Sequence, residues 1–234
     1  MNSEILERLK SESDEKYADF TAKLIPTVSR NAVLGVRLPT LRKIAKELAR
    51  KSEYREFLTE KHYFLEEKLL HGFLLGCVDF SADELIKEIE RFLPQIDNWS
   101  VCDSTVSALK SVKSNKGIFY EKIREWLKSD KTYTIRFALV LLLDYYLDDG
   151  FDARIFDELL QIETDEYYVN MALAWYFSFA LIKRYDKTIG LFENGKIKNE
   201  TVFNKSIQKA KESYRISDDK KKYLTELKNR NKRT

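Results

Sequence analysis

The sequence predicts an all-α protein, and three observations carry that prediction. Apolar residues recur at helical spacing from end to end, and strict period-2 alternation never runs far enough to make a strand. Punctuation is scarce: the 234 residues hold three prolines and seven glycines, too few for the many tight turns of an all-β chain. Short Ser/Asp/Asn/Lys clusters separate the periodic stretches instead, which suits helices joined by brief loops.

Taken in order, helices are predicted over residues 3–24 with a break near Ser13, then 39–51, 64–78, 82–93, 98–113 and 117–129. The series continues with 132–147, 154–161, 165–185, 200–215 and 218–231. Pro39 stands in a first turn, where its missing N–H costs nothing. Gly72 and Gly76, four apart on one helix, permit a close neighbour. Ser81-Ala82-Asp83-Glu84 reads as a capping box, and Pro94 ends the helix that it starts. Asn98 can cap the next one. Gly150 and Gly195 mark later stops, and 148–153 and 186–199 read as loops.

Such short connections force antiparallel neighbours, and helix pairs recur every 35 to 45 residues through the middle of the chain. That spacing predicts a HEAT-like α-solenoid of antiparallel helix pairs, each burying its face against the next. An irregular helical bundle is the alternative. No linker divides the chain, so a single domain over 1–234 is expected, with a basic C-terminal helical segment from about 200 to 234.

Composition removes several classes. The two cysteines, Cys77 and Cys102, lie in apolar helical stretches and make no disulfide framework, which suits a reducing cytoplasm. The chain opens with the charged run Asn2 to Lys10 rather than with a secretory leader. The longest apolar stretches, Phe137 to Leu143 and Met171 to Ile182, are too short to span a bilayer. Net charge is only +3, but it is unevenly spread. Residues 183–234 carry sixteen Lys/Arg against seven Asp/Glu, and the preceding 182 carry 25 against 31. A basic C-terminal quarter fits a polyanionic partner, or simply a solvated terminal helix pair. His62 and His71 stand nine apart without a Cys/Asp cluster, so no metal site is expected.

Three stretches hold side chains capable of chemistry. In Asn98-Trp99-Ser100-Val101-Cys102-Asp103, the four-residue spacing puts Trp99 and Asp103 on one helix face. Lys110 is expected to continue that row. An acidic residue near a helix start and a Trp at the edge of a core explain the pair equally well without catalysis. Arg136 sits in the apolar run Tyr133 to Val140, where its charge must snorkel out or meet a carboxylate or phosphate. Trp175 lies in Tyr168 to Ser178, a helix apolar nearly all round, which on its own reads as a buried central helix.

Together these stretches resemble the AlkD family of DNA glycosylases. The segment Leu34-Gly35-Val36-Arg37-Leu38-Pro39-Thr40-Leu41-Arg42-Lys43, the Trp-x-x-x-Asp of Trp99 and Asp103, Arg136 in its apolar helix and the Ala-Trp of Trp175 follow that family's order. The resemblance covers residues 15 to 215. It implies a solenoid that holds double-stranded DNA containing alkylated bases and excises cationic N3- or N7-alkylated purines. It assigns Asp103, Trp99 and Trp175 to catalysis and Arg136, Lys110, Arg37 and Arg42 to DNA binding. It implies no cofactor, no metal and a cytoplasmic monomer. Two departures are visible: Asn98 stands where an aromatic often precedes the Trp, and Ser178 and Phe179 stand where a basic residue often follows Trp175. Relatives that have lost the Trp/Asp pair bind DNA only, so a non-catalytic HEAT-like module for DNA or a protein partner is the rival reading.

Overall fold

In the computed structural model, which describes residues 2–148 and 151–231, every regular element is helical. Helix starts at Asp14, Ser81, Asn98 and Asn199 are marked by a side chain that takes an orphan backbone N–H. Asp14 accepts from the Tyr17 N–H at 3.0 Å and so breaks the predicted 3–24 helix into α1 (Asn2–Ser11) and α2 (Glu15–Leu24). Pro39 sits in the first turn of α3 (Leu38–Leu48). Ser81 and Glu84 exchange hydrogen bonds as a capping box at the start of α6 (Ala82–Phe92). Gly150 lies outside the described residues.

The chain forms two compact units, Met1–Lys122 and Ile123–Thr234. In the first, α5 (Leu65–Cys77) packs against both α3 and α7 (Trp99–Ala108). A short helix, α4 (Tyr54–Thr59), joins α3 to α5. The core here is Leu41 and Ile44 from α3, Leu70 and Phe73 from α5, Ile89 from α6, and Val101 and Val106 from α7. The two glycines decide how close α7 comes. A Cβ on Gly72 would fall 2.0 Å from Thr105 Oγ1, and one on Gly76 would fall 2.4 Å from the Ala108 carbonyl oxygen. Both meet α7 at nearly the same sequence offset, so α5 and α7 run parallel and in register.

The helix α8 (Lys116–Trp126) is divided between the units. In the second unit, α11 (Tyr167–Lys183) packs against α9 (Thr132–Tyr145) and α13 (Glu200–Glu212). Phe137 and Leu141 of α9, Val169, Leu173 and Phe177 of α11, and Val202, Phe203 and Ile207 of α13 fill the space between them. The smaller α10 (Ile155–Leu159), α12 (Tyr185–Glu193) and α14 (Asp218–Asn231) complete the unit. Hydrogen bonds link residues 32 positions apart in both units, from Leu34 to Glu66 and from Arg136 to Tyr168. This offset is slightly shorter than the 35 to 45 residues that the connections suggest.

Three elements differ from expectation. Helices α4 and α12 occupy stretches read as connections, because each is short and buries only two side chains, Phe57 with Leu58 and Thr188 with Phe192. Gly195, at φ +61, stops α12 rather than a longer α11. The predicted 98–113 helix ends at Ala108. Leu109, at φ −77 and ψ 58, turns the chain into a 3-10 segment over Lys110–Ser114 that buries Leu109 and Val112 completely. Lys110 therefore does not continue the row of Trp99 and Asp103. It is exposed on the turn beyond α7.

Candidate functional site

The first turns of α7 are held by buried polar groups. Asn98, fully buried, accepts from the Val101 N–H at 3.0 Å and donates through Nδ2 to Asp97 Oδ1 at 2.8 Å. Asp97 in turn pairs with Lys68 of α5. One face of α7 thus sinks Val101, Cys102, Thr105 and Val106, leaving Trp99 and Asp103 half-buried on another. The Trp99 indole N–H donates to the Leu24 carbonyl at the end of α2, 3.2 Å away, which fixes the ring plane. Trp99 and Asp103 are brought together, one helical turn apart, as their spacing predicts.

The Leu34 to Val36 segment is pinned from beneath. Glu66 of α5 accepts from the N–H groups of Leu34 at 2.9 Å, Gly35 at 2.7 Å and Val36 at 3.3 Å. Burial pushes the Glu66 carboxyl above its ordinary range, against the pull of these donors. Gly35 is required twice over: its φ is +86, and a Cβ would lie 2.1 Å from the Asp14 carbonyl oxygen. Anchored this way, the segment turns Arg37 outward. Arg37 Nη2 pairs with Asp14 at 3.1 Å, and its guanidinium lies 4.5 Å from the centre of the Tyr17 ring. The Tyr17 N–H and then Arg37 hold the Asp14 carboxyl below its usual range. Both partners are exposed, so the ion pair is weak and exchangeable. Arg42, also exposed, lies over Phe73 at 4.9 Å.

In the second unit Arg136 is only 6% exposed, and its Nη1 donates to the Tyr168 carbonyl at 2.9 Å. One partner of this arginine is thus a backbone acceptor in the first turn of α11. Two turns further along α11, Trp175 is half-buried and meets Phe179 edge to face, ring centres 6.2 Å apart. Ser178 is buried and donates to the Trp175 carbonyl at 2.7 Å. A basic side chain at that position would point into the core, so Ser178 suits its place here.

The profile of the DNA alkylation repair enzyme family matches residues 5–180. The chain belongs to that family. The match runs from α1 into α11 and takes in Arg37, Arg42, Trp99, Asp103, Lys110, Arg136 and Trp175. No curated protein and no solved structure matches the chain. Membership gives it a role in DNA alkylation repair. Among the described residues no group of His, Cys, Asp and Glu could hold a metal ion, and no helix is long and apolar enough to cross a membrane.

Sequence reasoning missed the supports of these side chains. The Leu24 carbonyl under Trp99 is a backbone group and has no sequence signature. Glu66 stands beside Glu67 and Lys68 in a charged first turn of α5, so nothing in the pattern set it apart. Tyr17 did leave a signal, three residues beyond the cap Asp14.

Proposed function

We propose that this chain is a DNA glycosylase that hydrolyses the N-glycosidic bond of cationic N3- or N7-alkylated purines in double-stranded DNA. The observation that carries the reading is the pairing of Asp103 with an anchored Trp99 on α7, in a chain of the DNA alkylation repair enzyme family. An alkylated purine already bears positive charge. As the bond from C1′ breaks, its electron pair neutralises the departing base, so no strong general acid is needed. Positive charge then develops on the sugar, and water adds to C1′ and gives up a proton. Asp103 stabilises that cation and orients the water.

At ~4 Å and an effective dielectric of about 20, such a charge pair is worth roughly 4 kcal/mol. That is about a thousandfold in rate. Trp99, beside Asp103, offers an indole face to the cationic lesion, and the half-buried Trp175 of the second unit suits a base or sugar of the bound duplex. Arg37, Arg42 and Lys110, all exposed, contact the phosphate backbone, and Arg136 sets the first turn of the helix that carries Trp175. The packing of α5 against α3 and α7 in one unit, and of α11 against α9 and α13 in the other, suits HEAT-like helix pairs within each unit.

The test is release of N7-methylguanine and N3-methyladenine from methylated duplex DNA. Wild type should release at least one of them, and Asp103→Ala should be slower by up to about a thousandfold while still binding duplex. If wild type releases neither base above background, the chain is a non-catalytic module instead. If Asp103→Ala matches wild type, the assignment of Asp103 fails while the activity stands.

A further inference from the structure

We infer that the backbone contact assigned to Arg42 continues along α3 as a sequence-independent row for DNA phosphates, formed with Lys46 and Arg50 and with Lys43 beside them. This rests on the reading of the chain as a DNA-binding repair enzyme and extends it from Arg42 to three residues with no assigned role. Arg42 and Lys46 lie on α3, and Arg50 lies in the turn that continues it, where its N–H still bonds to the Glu47 carbonyl at 3.3 Å. Four-residue steps put the three cations on one face, roughly 6 Å apart along the axis. That step is close to the one between successive phosphates of a strand. All four side chains are exposed, and together with Pro39 and Glu47 they line a shallow groove of about 440 Å³.

What makes this row informative is its lack of direct ion-pair partners. Among the described residues, no carboxylate lies within ion-pair distance of Arg42, Lys43, Lys46 or Arg50. The groove's one acid, Glu47, is already bound to Arg8 Nη2 at 2.7 Å, and Arg8 holds its carboxyl below the ordinary range. Like charges at four-residue spacing destabilise a helix. Cations at a helix C-terminus can offset its dipole, which would account for Lys46 and Arg50. It does not account for Arg42, which stands in the middle of α3, outside its last turn. A polyanion laid along the groove reverses the repulsion for all of them, and it does so through phosphates without reading bases.

The experiment is a salt titration of binding to an unmodified, fluorescently labelled duplex, by the full chain and by Lys46→Gln/Arg50→Gln. Each lost phosphate contact removes about 0.9 from the slope of log K against log salt. The double variant should therefore lower the slope by roughly two and weaken binding at least about tenfold at low salt. Lys87→Gln, an exposed change of the same kind on α6, should leave the slope alone. Thermal melting separates the roles: a dipole role alone predicts a lower Tm in the double variant with an unchanged slope, and that result overturns the inference. It is equally overturned if Lys87→Gln lowers the slope per charge as much as the double variant does, or if wild type binds without salt dependence. If the slope falls as expected but no methylated base is released, the excision reading fails and the row on α3 stands.

Discussion

At the scale of single residues, the most unusual chemistry lies in the core of the first unit. His62 Nε2 and His71 Nδ1 are 2.9 Å apart, with Phe57 stacked on one ring at 4.4 Å and Phe92 on the other at 3.9 Å. Their outer nitrogens, His62 Nδ1 and His71 Nε2, are buried without a hydrogen-bond partner. Burial holds both imidazoles neutral, with His62 pushed down to about 4 and His71 well below its ordinary value. The unfolded chain takes up protons as pH falls through 6.5, and the native pair does not. Stability therefore falls with acidification, by up to about 1.4 kcal/mol per pH unit for each imidazole. The buried carboxyl of Glu66, pushed upward, acts in the opposite sense, so the histidine contribution is read as a difference. Urea unfolding of wild type and of His62→Leu/His71→Leu between pH 6.5 and 5 should show the variant losing less stability on acidification. Equal slopes would mean that the pair is protonated in the folded state. This pairing was not legible, because nine residues separate a loop histidine from a helical one. Trp99 and Asp103 were legible for the opposite reason, since a four-residue spacing within one helix fixes a shared face. The carbonyl that receives Arg136 was not legible, because any residue could supply it.

At the scale of elements, the position of α7 depends on the two glycines of α5. A Cβ on Gly72 would press on the Thr105 side chain, whereas one on Gly76 would press on the Ala108 backbone, with its carbonyl carbon at 2.8 Å. A threonine rotamer can give more readily than a helix. Gly76→Ala should therefore cost about 1–3 kcal/mol and lower Tm by roughly 2–4 °C per kcal/mol for a chain of this size. Because α7 carries Trp99 and Asp103, base release measured well below Tm should fall as well. A variant that melts and reacts like wild type would show that α7 is not held by this contact. The four-residue glycine spacing announced a close neighbour correctly. The end of α7 was misjudged because periodicity continues through Leu109 and Val112, which are three apart and share a face in a 3-10 turn just as they nearly would in an α-helix. Helices α4 and α12 escaped because two buried side chains make too little pattern.

At the scale of the whole molecule, the all-α class was legible throughout, but the boundary between the two compact units was not. It falls inside α8, between Lys122 and Ile123, where the helical spacing of Phe119, Ile123 and Trp126 runs on unbroken. The basic C-terminal quarter also changes meaning. Residues 181–234 lie beyond the family match, which ends within α11, yet α13 buries Val202, Phe203 and Ile207 against that same helix. The segment completes the second unit before it does anything electrostatic. Burying three such side chains contributes roughly 1.5–3 kcal/mol each, which together rivals the whole stability of a typical domain, about 5–15 kcal/mol. A chain ended after Lys198 should therefore lose more helix by circular dichroism than α13 and α14 contain, because α11 loses its cover. A chain ended after Ser217 keeps α13 and gives up the burial of Leu224 and Leu227 from α14. It should keep α9, α11 and α13 folded and melt cooperatively at a lower temperature. If the chain ended after Lys198 melts as cooperatively as the full chain, α11 needs no cover from α13. The basic quarter would then be a solvated appendage, as its charge alone also allowed.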